Sequence, residues 1–140
     1  MGYTHYWKTI GLLDTDKLKA CIADMAKIIH ADAAILAGGD GTGKPVMDDR
    51  EVVFNGREDQ KGDYETFAFP GGKFCKTGGM SPIRPYDRTI TACLIVARDH
   101  FPHSVLVIRS DGTWDEWKEG RALYARVFGR EAKNPLSERE

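Results

Sequence analysis

The sequence predicts a single-domain α+β sandwich, a small mixed sheet packed with about three helices, over residues 1–129. Residues 130–140 read as a charged, disordered tail. Three observations carry this. Apolar residues recur at helical spacing between 15 and 31. A second segment, from Pro85 to about His100, is apolar nearly all round its middle. Short apolar runs punctuated by Gly, Pro and Asn lie before, between and after them and read as strands. The resulting order, β-α-(β)-β-β-α-β-α, lacks the strict alternation of a parallel α/β protein.

Each element has a local cause. Residues 3–7 alternate, with Tyr3, His5 and Trp7 on one face and Thr4 and Tyr6 on the other. Both faces therefore carry an aromatic. That pattern suits either a strand packed on both sides or a strand that stacks on a flat, partly polar ligand. Asp14 caps the first helix, whose buried stripe is Leu18, Cys21, Ile22, Met25, Ile28 and Ile29. Ala34–Ala37 is a short strand or extended connection. Residues 51–55 form a strand closed by an Asn55-Gly56 turn, and 65–69 its hairpin partner, stopped by Pro70. Residues 70–85 are a long Gly- and Pro-rich loop, and Pro85 opens the next helix. Val105–Ile108 reads as an interior strand because its run is continuous. Asp111-Gly112 turns the chain, Thr113 and Glu116 form a capping box, and Gly129 ends the last helix.

Composition narrows the function. The chain is 41% apolar and 29% charged, ordinary for a globular protein. A net charge of −1 argues against a non-specific grip on long nucleic acid. No run is long and apolar enough for a membrane span, and the start shows neither the basic nor the apolar region of a secretory signal. Three cysteines without C-x-x-C spacing read as reduced thiols, so a cytoplasmic location is expected.

Several motifs have a plainer structural explanation. Gly38–Pro45 nearly spells a phosphate-binding loop, but Pro45 replaces the Ser or Thr that holds magnesium, and a strand rather than a helix follows. A flexible connection is expected there, with Lys44 contributing little to ligand affinity. His100 and His103 read as a helix end, not zinc ligands. Asp48, Asp49 and Glu51 read as a solvated acidic loop. Neither a metal nor a cofactor is expected. Cys75 paired with His5 is the one nucleophile–base combination open to consideration. Cys21 and Cys93 read as core.

The stronger signal is residues 73–88, with Lys73, Lys76, Arg84 and Arg88 against one acid, Asp87. Phe74, Thr77 and Tyr86 are interleaved, and the segment runs into a helix N-terminus. Cations, hydroxyls and rings in one loop suit a phosphate-bearing ligand with bases to stack; a solvated basic loop is the plain alternative.

The pieces Gly2–Trp7, Phe74–Thr77, Pro85–Asp87, Ser110–Gly112 with Trp114 and Trp117, and Gly120–Gly129 together resemble a family of small proteins encoded by bacteriophages and prophages. The family has no firmly assigned activity. In this chain Gly78–Ile83 widens the gap between the second and third pieces. By analogy with other small phage proteins, the resemblance implies an anti-defence accessory that sequesters a nucleotide signal, such as a cyclic dinucleotide or an ADP-ribose derivative.

The expected ligand contacts follow from both lines. Tyr3, Tyr6, Trp7, Phe74 and Tyr86 would stack on bases, Lys73, Lys76, Arg84 and Arg88 would hold phosphates, and His5, Asn55 and Thr77 would hydrogen-bond. A homo-oligomer is expected, because a subunit interface excludes water from such a site. Two other functions share these residues: a hydrolase of the same ligand class, and an inhibitor that binds a host defence protein.

Overall fold

A computed structural model describes residues 3–71, the backbone of 75–77, and residues 83–137. Alternation places His5 and Trp7 of the first strand, β1 (His5–Thr9), inward, and both are buried. Helix α1 (Thr15–Ala31) starts where Asp14 accepts a hydrogen bond from the Lys17 N–H, and its buried residues are Cys21, Ile22, Met25, Ile28 and Ile29. A 3-10 turn over Ala33–Ile35 leads to β2 (Leu36–Ala37), followed by β3 (Val46–Met47), β4 (Val52–Gly56), β5 (Phe67–Phe69) and β6 (Cys75–Thr77). Helix α2 (Asp87–His100), β7 (Leu106–Ser110) and helix α3 (Lys118–Phe128) complete the α+β domain.

The described strands form two small sheets, all pairs antiparallel. One has the order β6-β1-β7, with Tyr6 opposite Lys76 on one side and Arg109 on the other. In the second, β4 pairs β2 through Asn55 and Gly56, β3 through Val52 and Val53, and β5 through Val52–Phe54. The sheets meet at Trp7, whose ring lies 4.9 Å from that of Phe67 and whose Nε1–H donates to the Ala68 carbonyl at 3.1 Å. Helix α2 packs against both α1 and α3, and every residue from Thr89 to Ala97 is buried. It is the middle of the core. At Gly120 a side chain on α3 would run into Thr91 of α2, so glycine permits this close helix crossing.

Three expectations change on the structure. Asn55-Gly56 is not a turn but the end of β4, because the Gly62 carbonyl packs where a Gly56 side chain would be. β7 is not interior: it lies at a sheet edge and alternates, with Leu106, Ile108 and Ser110 buried and Arg109 exposed. Its outer edge is occupied by the C-terminal segment, where the Ser137 N–H donates to the Ile108 carbonyl at 2.7 Å and Ser137 Oγ accepts from the Ile108 N–H at 3.1 Å. Residues 131–137 therefore dock rather than fray, with Ala132 and Pro135 buried and Arg98 donating to the Pro135 carbonyl at 3.0 Å. The capping box is as expected: the Thr113 N–H donates to Glu116 Oε1 and the Glu116 N–H to Thr113 Oγ1. Gly129 closes α3 in the left-handed conformation at φ 68°.

Candidate functional site

The first polar cluster lies inside the fold. His5 is fully buried, with Nδ1 2.7 Å from Ser110 Oγ and Nε2 2.6 Å from Asp87 Oδ1. The order Ser–His–Asp invites comparison with a hydrolytic triad. The serine argues against it. Ser110 Oγ accepts the Gly112 N–H at 2.9 Å and the Trp117 Nε1–H at 3.2 Å, which occupies both its lone pairs. Its own hydroxyl then donates to His5 Nδ1, and His5 Nε2–H donates to Asp87; the Tyr3 side chain bonds to the same serine and encloses it further. A nucleophile needs a lone pair facing substrate; here both lone pairs face the protein. Tyr3 packs edge-on against His5 at 4.9 Å, and burial, with the Asp87 charge nearby, pushes its phenol well above the usual tyrosine range. The cluster is a polar knot that ties β1, α2, β7 and the start of α3 together.

The expected ligand contacts are dispersed. Trp7 is buried against Phe67, and Tyr86 is buried with its hydroxyl donating to the Glu65 carbonyl at 2.6 Å, so neither ring has a face to offer a base. Those two stacking roles are corrected. His5 is corrected too, because both ring nitrogens are held internally. Asn55 spends its whole amide on the protein: Nδ2 donates to the Gly39 and Tyr64 carbonyls, and Oδ1 accepts from the Gly56 and Tyr64 N–H groups. Arg88 commits its guanidinium to the buried Asp32, at 2.9 Å from Nη2 to Oδ1, where Thr89 Oγ1 also donates. Arg84 donates to the Asp63 carbonyl at 3.4 Å and lies 5.3 Å from the Tyr64 ring.

In the backbone register of the β1–β6 ladder, residues 75–77 of the basic segment pair with the N-terminal strand, Lys76 opposite Tyr6 and Thr77 opposite His5. Tyr6 is half-buried and its neighbour Arg109 is exposed. Lys73 and Phe74 lie outside the described residues, as do the side chains of Cys75, Lys76 and Thr77. The Cys75–His5 pairing falls there as well; in the backbone register Cys75 stands opposite Trp7.

A cleft of about 810 Å³ lies elsewhere, between the end of α1, the Gly41–Pro45 loop, β3 and residues 57–59; a smaller one of about 330 Å³ is lined by Arg109–Thr113, Leu136 and Ser137. The larger cleft's volume falls in the roughly 300–1,000 Å³ range of small-ligand sites. Ile29, Leu36 and Ala37 are buried and give an apolar floor, continued by half-buried Pro45 and Met47. His30, Thr42, Lys44, Glu58 and Asp59 are exposed at its polar rim. Arg57 also lines it and pairs bidentately with Asp59, at 2.9 and 2.5 Å. The lining thus sets two cations, Lys44 and Arg57, and two carboxylates, Glu58 and Asp59, around an apolar floor.

The loop that walls this cleft is held, not loose. The Gly38 N–H donates to the Thr42 carbonyl, and both the N–H and the hydroxyl of Thr42 donate to Asp40 Oδ1. The Glu58 N–H donates to the Gly41 carbonyl at 2.9 Å, which joins the loop to the opposite wall. Gly41 sits at φ 87°, open to glycine and strained for other residues. From behind, the Gly39 carbonyl accepts from Asn55 Nδ2 and from Thr66 Oγ1. Asn55 thus positions the cleft loop although it lines no part of the cleft. The reading of Gly38–Pro45 as a flexible connection is replaced by a braced wall.

The remaining motifs resolve as structure. His100 Nε2 lies 2.8 Å from Asp24 Oδ2, and His103 faces Ser137. Asp48 accepts from the Arg50 and Glu51 N–H groups, a local turn. Among the described residues no group of three or more His, Cys, Asp or Glu could hold a metal ion. Cys21 and Cys93 are buried, and burial pushes both thiols up. No helix among the described residues is long and apolar enough to cross a membrane.

Compared with known proteins, the chain matches no family model, no curated protein and no solved structure.

Proposed function

We propose that this chain captures a small nucleotide-type ligand in the cleft beside the Gly41–Pro45 loop and holds it without converting it. The observation that carries the reading is the lining of that cleft: an apolar floor of Ile29, Leu36 and Met47 beneath a rim bearing Lys44, His30, Glu58 and the Arg57–Asp59 pair, with Lys44 the lining cation outside that pair. A base fits the floor and a phosphate fits the rim. With the resemblance to small phage proteins, the same chemistry supports capture of a nucleotide alarm signal in an infected host, which would blunt an anti-phage response.

The test is equilibration with a panel of nucleotides, including cyclic dinucleotides and ADP-ribose derivatives, then denaturation and mass analysis of what is released. Recovery of one nucleotide intact, at saturable stoichiometry, supports capture. New products would replace it with hydrolysis. Ala33→Phe is the control, since Ala33 is exposed at the cleft and a ring there narrows it without disturbing the core. Retention of the ligand by a folded Ala33→Phe variant would place the site elsewhere.

A further inference from the structure

The anionic end of the ligand can be placed more narrowly, on the basis of the cleft reading above. Gly43 and Lys44 both line the cleft, and Gly43 has φ 71° with nothing within 4 Å of where a side chain would start. Bare backbone therefore fronts open space at this point. The N–H groups just before are occupied: Gly41 donates to the Gly38 carbonyl and Thr42 to Asp40 Oδ1. The next residue, Pro45, has no N–H. Gly43 and Lys44 stand between, and among the described residues neither N–H has an intramolecular acceptor. Adjacent N–H groups in a turn with a left-handed glycine form a concave seat for an oxyanion. The Lys44 ammonium adds a charge at the same place.

The charges around this seat decide which end of the ligand it takes. Glu58 and Asp59 line the same cleft, and Arg57 neutralises Asp59. Among the described residues neither Glu58 nor Asp40 has an ion pair; Asp40 is turned into the loop by Thr42, and Glu58 repels an anion from its own wall, which leaves the Gly43–Lys44 wall as the more favourable one. The apolar floor takes the ring.

We infer that Gly43–Lys44 is a phosphate seat that binds the phosphoryl oxygens of a nucleotide through two main-chain N–H groups and the Lys44 ammonium, with no magnesium ion. The last clause rests on Pro45, which offers no hydroxyl to a metal where a nucleotide-hydrolysing loop has Ser or Thr, and on the lining carboxylates, of which Asp59 is already paired with Arg57.

Nitrogen–proton correlation spectra of the full chain test this with AMP, adenosine and inorganic phosphate as probes, each with magnesium and with chelator. The expected result is a downfield shift of the Gly43 and Lys44 amides with AMP and with phosphate, but not with adenosine. Chelator should leave it unchanged. Lys44→Gln, an exposed substitution, should weaken AMP binding about tenfold or more and leave adenosine unaffected. The inference is overturned if neither AMP nor phosphate moves those amides, if the shift requires magnesium, or if Lys44→Gln binds AMP as the parent does. The cleft reading fails separately. It survives if adenosine shifts the Leu36 and Ala37 amides in the parent and not in Ala33→Phe, and it falls with the inference if no probe shifts any cleft residue.

Discussion

Replacing Ser110 with alanine separates a structural knot from a catalytic triad. The serine is 5% exposed, and its polar partners include His5 Nδ1 at 2.7 Å, the Gly112 N–H at 2.9 Å and Trp117 Nε1–H at 3.2 Å, with the Tyr3 side chain also bonded to it. Alanine keeps the backbone and removes the oxygen. A buried donor or acceptor left without a partner costs about 1–3 kcal/mol. His5 and Trp117 are buried at 0% and 1% exposure, so neither regains a water easily. Gly112 is buried as well, so its N–H also loses its partner. The sum is about 3–9 kcal/mol, a large share of the roughly 5–15 kcal/mol that holds a domain folded. Urea unfolding followed by circular dichroism should show the midpoint of Ser110→Ala fall with little change in slope, the mark of lost stability rather than an altered denatured state. A midpoint equal to the parent's would refute the knot. It would mean that the three bonds contribute nothing net, and the Ser–His–Asp geometry would need another explanation.

Other substitutions probe the core and its charges. Leu94→Ala, at the fully buried centre of α2, should destabilise by about 2–5 kcal/mol, read from the same urea midpoints. Gly120→Ala places a methyl against Thr91 and 3.1 Å from the Ala92 nitrogen, and should cost about 1–3 kcal/mol by forcing α2 and α3 apart. Burial alone would raise the Asp24 carboxyl, but hydrogen bonds from His100 and Lys27 hold it below the ordinary 3.8. Its contribution is therefore present above that value and lost as pH falls through the lower, folded one. Asp24→Asn should be less stable than the parent at about pH 6, with the gap closing towards about pH 2, measured by thermal melts at each pH.

Legibility followed the range of the contacts involved. The limits of α1 were readable, because the Asp14 cap and the 3.6-residue stripe are local signals. So were the Thr113–Glu116 capping box and the left-handed Gly129. The buried character of α2 showed in its unbroken apolar run. Asn55-Gly56 misled because its turn chemistry is real in isolation, whereas here the glycine admits the Gly62 carbonyl and the asparagine amide joins Gly39 to Tyr64. The continuous run before Arg109 hid a strand with one buried face and an edge covered by Ser137. His5 and Asp87 are 82 positions apart, and no spacing rule connects them. The cleft draws on four separated segments, and only its glycine loop stood out in the sequence. That loop lacks the hydroxyl of magnesium chemistry, and its spacing alone does not show the wall it builds.

Amide hydrogen exchange, with and without a saturating bound nucleotide, tests the central claim most directly, because it reports each segment separately. The cleft account predicts slowed exchange at residues 41–44 and 57–59, with the β1–β6 ladder unchanged by ligand. Protection confined to residues 5–9 and 75–77, with the cleft loop unaffected, would contradict it and return the site to the N-terminal sheet.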